Sequence, residues 1–236
     1  IHKIADSVVQ RIRSRQKKSW LPRHEEGSVE RTYDTNTVLF GDDEWLILAQ
    51  ANYMLDDLSE RLTSSGHYFE RKGYPSLKKT IRSAISSWNH LQQSPGHEVS
   101  LKEATNLYDH MSSGEGRLKR GAKKMLGGAD EQDLFTMAVL RQHFGLETPD
   151  DTWDMALDRI GDEDRAYATA LLNRGTNIFE KPKIKLSTIH GAKGGQADNV
   201  LLFLDLSGKA LKEMEKNPDD AHRVLYVGVT RAKQNL

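Results

Sequence analysis

Residues 183–206, KIKLSTIHGAKGGQADNVLLFLDL, decide the fold, because two apolar stretches flank a loop rich in glycine. Ile184 and Leu186 give the first strand signal, and the uninterrupted apolar run 200–204 predicts a second strand that is buried on both faces. The loop between them holds hydroxyl and basic side chains as well as glycines. Ligands gather at the loops that follow the strands of a parallel sheet, so we expect the chemistry of the chain here.

The residues before position 76 alternate between strand and helix. The run 45–49, WLILA, predicts a buried strand, and Tyr68 and Phe69 indicate a return to strand. Between them, leucines at helical spacing predict a helix that ends at Gly66. A further helix is predicted near the amino terminus from the apolar positions Ala5, Val8, Val9 and Ile12, followed by the basic positions Arg11, Arg13, Arg15, Lys17 and Lys18.

From about residue 76 the pattern changes to helical stripes with no strand signal between them. Ser100 and Glu103 have the spacing of a capping box. The stripes are Leu77, Ile81, Ala84, Ile85, Trp88 and Leu91; Ala104, Leu107, Tyr108 and Met111; Leu134, Met137 and Ala138; and Trp153, Ala156, Leu157 and Ile160. The sequence therefore predicts an α/β fold with a mostly parallel sheet domain, residues 1–75 and 179–236, interrupted by an all-helical insert, residues 76–178.

The composition limits the classes of partner and site. Lys and Arg together number 34, as do Asp and Glu, so any contact with DNA must be local. The absence of cysteine excludes disulfide frameworks and thiolate zinc sites and favours a reducing compartment. No apolar run approaches the roughly 20 residues that cross a bilayer, so we expect no membrane partner and an intracellular, cytoplasmic protein, nucleoid-associated if bacterial. The chain does not begin with Met, which indicates a fragment.

The loop 186–200 is the first candidate for chemistry. Thr188, His190 and Lys193 would stand where short polar side chains and backbone amides meet phosphates, and the glycines permit close approach. The alternative is a glycine-rich turn with a solvated lysine and a satisfied histidine. The residues by themselves leave both interpretations open.

The second candidate is the segment 222–236, HRVLYVGVTRAKQNL, in which an apolar run leads directly to Thr230 and Arg231. An arginine fixed at the end of a buried element can present its planar fork to a phosphate, whereas a lysine gives only a point charge. The alternative is a surface arginine beside Lys233.

Together these segments resemble motifs V and VI of the UvrD/Rep-like superfamily 1 DNA helicases. The family pattern T-x-H-x-A-K-G-x-E is matched over 188–194, and Y-V-A/G-V/I-T-R-A is matched without a gap over 226–232. Residues 46–73 resemble the motif IV strand, helix and following strand, and residues 4–20 resemble the helix that begins the second RecA-like domain. The insert occupies the position of the accessory subdomain of the family but is shorter.

The resemblance implies roles for individual residues. Arg231 would be the catalytic arginine finger, and Thr188, His190 and Lys193 would bind DNA. The ATP-binding set would be Gln50, Gly194, Gln196 and Arg231. Gln50 stands where the family usually has an arginine that reaches the γ-phosphate, and Gln196 stands where the family has an acid that accepts from the ribose.

The phosphate-binding loop G-x-x-x-x-G-K-[ST] does not occur in the sequence, and its nearest imitation, 116–123, has Ala122 where the lysine is required. A stand-alone nucleotide kinase is therefore excluded, and ATP and Mg²⁺ are expected to be held mainly by an N-terminal RecA-like domain. Single-stranded and duplex DNA are the expected partners, with repair, replication and recombination all compatible. A candidate duplex-contacting cluster, or else a solvated loop, is formed by Arg117, Lys119, Arg120, Lys123 and Lys124.

The predicted function is thus the C-terminal part of an ATP-dependent DNA helicase or translocase, inactive as this fragment alone. The alternative is a non-catalytic helicase-like subunit for DNA binding or assembly, which the substitutions at Gln50 and Gln196 favour. The intact Thr230 and Arg231 argue against that alternative. The insert is expected to move as a unit.

Overall fold

The chain divides into two compact units in a computed structural model, which describes residues 1–16 and 26–236. The first unit is Ile1–Ser76 with Lys181–Leu236, and the second is Leu77–Glu180. The predicted bounds of the sheet domain and of the insert lie close to these divisions. Independent motion of the insert stays a prediction.

Strands and helices alternate through much of the first unit, as in an α/β fold. The strands of the described residues are β1 (Trp45–Ala49), β2 (Phe69–Arg71), β3 (Tyr74–Pro75), β4 (Glu98–Ser100), β5 (Leu134–Thr136), β6 (Ile184–Thr188), β7 (Ala197–Leu202) and β8 (Ala232–Asn235). The α-helices are α1 (His2–Val9), α2 (Asp56–Ser64), α3 (Lys79–Gln93), α4 (Leu101–Asp109), α5 (Ala122–Leu126), α6 (Met137–His143), α7 (Trp153–Ala156), α8 (Asp162–Asn173), α9 (Gly208–Lys216) and α10 (Pro218–Val229). Within the described ranges, no helix is long and apolar enough to span a membrane.

The sheet of the first unit has six strands in the order β3-β2-β6-β1-β7-β8. Every neighbouring pair is parallel except β2 and β3, which are antiparallel. The strand predicted at 45–49 is confirmed without change of bounds as β1, and the strand signal near Ile184 is confirmed as β6. The predicted fold class, α/β with a mostly parallel RecA-like sheet, is confirmed.

Strand β1 lies at the centre of the sheet and is covered on both faces. Ile47 and Ala49 belong to one buried cluster, with the leucines of α2, while Leu46 and Leu48 belong to another. Alternate residues of a strand point to opposite faces, so a continuous apolar run is what a doubly covered strand requires. Val224 and Val227 of α10 pack against the second cluster.

The connections that follow β1 and β7 run to opposite sides of the sheet. The chain leaves β1 through α2 toward β2 on one side, whereas it leaves β7 through α9 and α10 toward β8 on the other. The carboxyl ends of β1 and β7 therefore form a topological switch point, the place where ligands bind in open α/β sheets.

The second unit is not entirely helical, so that part of the prediction is wrong. Strands β4 and β5 form a two-stranded antiparallel sheet in which buried Val99 faces buried Phe135. Leu134, which was assigned to a helical stripe, lies in β5 with 57% of its surface exposed. Three-residue strands are too short to show an alternation that can be told from a helical stripe.

The second unit has buried apolar residues throughout its helices. The capping box is confirmed at the start of α4, where Ser100 Oγ accepts from Glu103 N–H and the Glu103 carboxylate accepts from Ser100 N–H at 2.9 Å. The largest fully buried side chains of this unit include Trp88, Leu91, Leu107, Tyr108, Met111 and Phe135. These residues give the segment a core of its own.

Helix α1 is shorter than the predicted amino-terminal helix. It ends at Val9, and the N–H groups of Arg13 and Ser14 leave the helical pattern to donate to the Asp219 carboxylate, each at 3.0 Å. Lys17, Lys18 and Trp20, also expected in this helix, lie outside the described residues.

Candidate functional site

The loop between β6 and β7 is organised around Thr188, the last residue of β6. The Thr188 hydroxyl accepts from Gly191 N–H at 3.0 Å, and the Thr188 carbonyl accepts from Ala192 N–H at 3.0 Å. Gly194 has a φ of 83°, which favours glycine because a side chain is strained there. The predicted glycine-rich turn is therefore a tight turn that directly follows a strand.

The polar side chains of this turn point to solvent. His190, Lys193 and Gln196 are all exposed, while Ala192 between them is buried and anchors the turn on the sheet. No described residue forms an ion pair with Lys193, so its charge is available to a ligand. The turn thus exposes a cation, an imidazole and an amide to solvent.

Arg231 lies two positions after the last residue of α10 and contacts this turn. Its backbone N–H donates to the Gly228 carbonyl at 3.2 Å, and its own carbonyl accepts from Ala197 N–H at 3.1 Å. The guanidinium Nη1 donates to the Gly195 carbonyl at 3.4 Å. The second candidate segment therefore contacts the first at Gly195, next to the amino-terminal end of β7.

The Arg231 side chain is only partly satisfied by this arrangement. Its Nε atom is buried and has no hydrogen-bond partner within 1–16 and 26–236. Buried unpaired N–H groups are rare in folded proteins, because each loses its hydrogen bond to water without replacement. Helix α10 is itself only half-buried over Val224 and Leu225, so Arg231 does not end a fully buried element.

Gln50 follows β1 and lies against a different loop. Its Oε1 accepts from the backbone N–H of Ser207 at 2.8 Å, which ties the end of β1 to the segment between β7 and α9. Ser207 caps α9 by accepting from Ala210 N–H. Gln50 is therefore a structural brace here, and its predicted contact with ATP stays a prediction, as do those of Gly194, Gln196 and Arg231.

A cavity of about 180 Å³ opens at the switch point between β1 and β7. Gln50 lies at the end of β1, Ile189 follows β6, and Phe203 follows β7. Asp205 after β7, Arg11 just beyond α1 and His222 from α10 complete the polar part of the lining.

The α10 helix is fixed at its amino-terminal end by a clasp that the sequence analysis missed. Asp219, only 7% exposed, accepts from Arg13 N–H, Ser14 N–H and the Ser14 hydroxyl. Arg223 donates to the Ser14 hydroxyl at 2.7 Å. The available signal was Asn-Pro-Asp-Asp at 217–220, a helix start with a capping residue, proline at the first position and acids in the first turn.

The basic cluster of the second unit is partly neutralised. Arg117 pairs with Asp151 at 2.8 Å and Lys123 with Asp109 at 3.4 Å. Lys119, Arg120 and Lys124 form no ion pair with a described residue. A contact between this cluster and duplex DNA stays a prediction that rests on three cations.

The comparison with protein families covers the region that contains both candidate segments. Residues 166–236 match the family model of the UvrD-like helicase C-terminal domain. The predicted resemblance to the C-terminal half of a UvrD/Rep-like helicase is thereby confirmed over these residues. The match includes β6, β7, α10 and β8. A comparison with curated proteins gives no match.

Proposed function

We propose that the chain is the C-terminal part of an ATP-dependent DNA helicase or translocase. It would supply an arginine finger and part of a track for single-stranded DNA. The observation that supports this most is the contact of the Arg231 guanidinium with the Gly195 carbonyl, because it places a phosphate-binding type of side chain beside a turn built for close approach.

Arg231 suits the role of a finger. Its backbone is held on both sides by hydrogen bonds, while its planar side chain keeps donors that no described residue uses. A pre-positioned guanidinium stabilises the charge that develops on a transferred phosphoryl group without reorganising during the reaction. A lysine at this position would offer only a point charge.

The turn after β6 would carry the DNA track. Thr188 shapes the turn, and His190 and Lys193 are exposed on it. Contacts of this kind go to phosphates, and they therefore give affinity without sequence information. Because the chain has no net charge, these local cations would dominate its interaction with DNA.

An N-terminal RecA-like domain would complete the motor. It would hold ATP and Mg²⁺ through a phosphate-loop lysine and an acidic side chain, while Gln196 and Gly194 of this chain approach the nucleotide from the other side. The amide of Gln196 can hydrogen-bond a ribose hydroxyl, though without the charge assistance of a carboxylate.

The environment of Gln50 favours a second candidate function, that of a non-catalytic DNA-binding or assembly subunit. Its Oε1 is occupied by Ser207 N–H, so it braces a loop where the related helicases use an arginine toward phosphate. A non-catalytic relative that binds DNA or assembles a complex would tolerate this change. The retained Arg231 and its contact with the turn favour the motor.

Substitution of Arg231 tests the proposal in a protein that carries both RecA-like halves. Arg231→Ala should lower DNA-stimulated ATP hydrolysis by about 10³ to 10⁵. ATP affinity should change by less than about tenfold, because a finger acts mainly on the transition state. Arg231→Lys should restore little of the rate.

Arg31→Ala is the matched control, since Arg31 is an exposed arginine of the same unit. It should leave both hydrolysis and affinity unchanged. Near-normal turnover of Arg231→Ala would show that the chain is not the finger-bearing half and would favour the non-catalytic alternative.

A further inference from the structure

We propose that the cavity between the ends of β1 and β7 binds a single nucleobase. This inference rests on the proposed function and deepens it, because it adds recognition of the base to the phosphate contacts of the track. The ligand chemistry is a flat heteroaromatic ring, which a base of single-stranded DNA and the base of a free nucleotide share.

The size and walls of the cavity suit one ring. Its volume is about 180 Å³, and an apolar cavity of about 150 Å³ admits a benzene molecule. The volume is therefore large enough for a pyrimidine base. The apolar walls are formed by Ile189, Phe203, Leu204, Leu206, Met214 and Leu225.

Of the four polar residues in the lining, His222 and Gln50 suit the edge of a base, and the other two, Arg11 and Asp205, carry charges of opposite sign. The Nδ1 atom of His222 is buried and has no hydrogen-bond partner in the described part of the chain. Gln50 uses its oxygen to accept from Ser207 N–H, so its amide N–H₂ remains as a donor. Base edges present acceptors and donors of this type, whereas a purely aliphatic ligand would leave the imidazole unpaired.

The cavity also lies where a bound strand would bring a base. Ile189 is part of its wall, and it stands between Thr188 and His190, both proposed to contact the strand. Adjacent nucleotides carry a phosphate and a base within a few ångströms of each other, so phosphates on this turn and a base in the cavity are compatible. Arg11, exposed at the rim, adds a cation for a neighbouring phosphate.

The test compares two single-stranded 12-mers, oligo(dT) and a fully abasic strand of equal charge, by fluorescence anisotropy with the 236-residue chain. Wild type should bind oligo(dT) about tenfold more tightly, since stacking and base contacts add to the phosphate contacts common to both strands. His222→Leu, which removes the ring nitrogens, and Ala221→Phe, which fills the cavity, should each bring the ratio close to one. Both should leave the affinity for the abasic strand unchanged.

Matched controls come from α6 in the second unit, where His143 and Ala138 are exposed. His143→Leu and Ala138→Phe should keep the wild-type ratio. Thermal unfolding by far-UV circular dichroism identifies a variant that fails to fold, and His222→Leu remains informative if Ala221→Phe is lost. A wild-type ratio near one, or a tenfold ratio that survives in His222→Leu, overturns the base site.

A titration with thymidine monophosphate, followed through the His222 imidazole signals by NMR, distinguishes the two sources. If the His222 signals shift at micromolar thymidine monophosphate, the ligand of the cavity is a free nucleotide. If they shift only with oligo(dT), the ligand is a base of the DNA strand. If wild type binds neither 12-mer, the proposed track for single-stranded DNA is wrong. The titration with the nucleotide then tests by itself whether the cavity binds a base. A saturable shift supports the base site in that case, and no shift overturns it.

Discussion

Asp219 holds two elements together through a single carboxylate. The backbone N–H groups of Arg13 and Ser14 donate to it, and these hydrogen bonds keep the pKa of Asp219 below its ordinary value of 3.8, with smaller contributions from the Ser14 hydroxyl and the Arg223 charge. Burial opposes this effect by favouring the neutral form. The ionised carboxylate is therefore the form that clasps α1 to α10.

A depressed pKa in the folded state makes the stability of the clasp depend on pH. The stabilisation is present above pH 3.8, the ordinary value, and is lost as the pH falls through the lower folded value. Asp219→Asn should therefore lower the melting temperature at pH 7. The difference from wild type should shrink as the pH falls below 3.8, measured by thermal denaturation across the range.

Asp220→Asn provides the control for this experiment. Asp220 is in the same helical turn, but its side chain is 67% exposed and pairs with Arg223 at the surface. Exposed pairs contribute little, so the melting temperature at pH 7 should fall by less than in Asp219→Asn. Equal losses in the two variants at pH 7 would contradict the clasp.

At the level of single residues, the sequence predicted where Arg231 stands in the chain but not which residues it contacts. The position of Arg231 at the end of an element was correct, because the motif is contiguous. Its contact with Gly195 joins segments 36 residues apart, and the bond of Gln50 to Ser207 joins residues 157 apart. Neither contact has a local signal, since both depend on how the sheet orders its strands.

The capping box of α4 is the element-level feature whose energetics are most directly testable. Ser100→Ala removes the acceptor of the Glu103 N–H and should lower the free energy of unfolding by about 1 kcal/mol, within a range of about 0.5–2. Chemical denaturation measures the loss. Ser113→Ala, an exposed serine of the same unit, should change it by less than about 0.5 kcal/mol. Equal changes in the two variants would show that the cap contributes nothing measurable.

Elements with long apolar patterns were predicted well, and short ones were not. Strand β1 follows from a continuous apolar run of five residues, and helix α3 follows from a helical stripe in a segment of 15 residues. Strand β5 has three residues, and its side chains alternate in a way that a helical stripe also allows. The pairing of β5 with β4 is a tertiary effect, because each strand needs the other for its hydrogen bonds.

For the whole molecule, we expect weak binding of single-stranded DNA without sequence preference. The chain has equal numbers of acidic and basic residues and only a local set of cations on the proposed track. Affinity for a mixed-sequence 12-mer should therefore fall steeply between about 50 and 200 mM salt, measured by anisotropy. Nanomolar affinity at physiological salt, or discrimination between sequences of equal pyrimidine content, would favour the non-catalytic binding subunit.

The second unit should fold without the first. Its helices and the β4-β5 pair bury large apolar side chains, among them Trp88 and Phe135. A protein consisting of 77–180 should therefore unfold cooperatively by far-UV circular dichroism. A shorter piece, 77–126, loses β5 and should show no cooperative transition. Non-cooperative unfolding of 77–180 would mean that its core is incomplete.

Helix α10 also constrains which sequence changes can occur together. A helix of 12 residues is a rod of about 18 Å, so its fixed end sets the direction in which its other end points. The Ser14 hydroxyl donates to the Asp219 carboxylate although the two residues are 205 positions apart, and this side-chain bond helps to set where Arg231 emerges. Covariation between positions 14 and 219 should therefore be detectable across related sequences, and a replacement at one should be tolerated when the other restores a donor and acceptor pair.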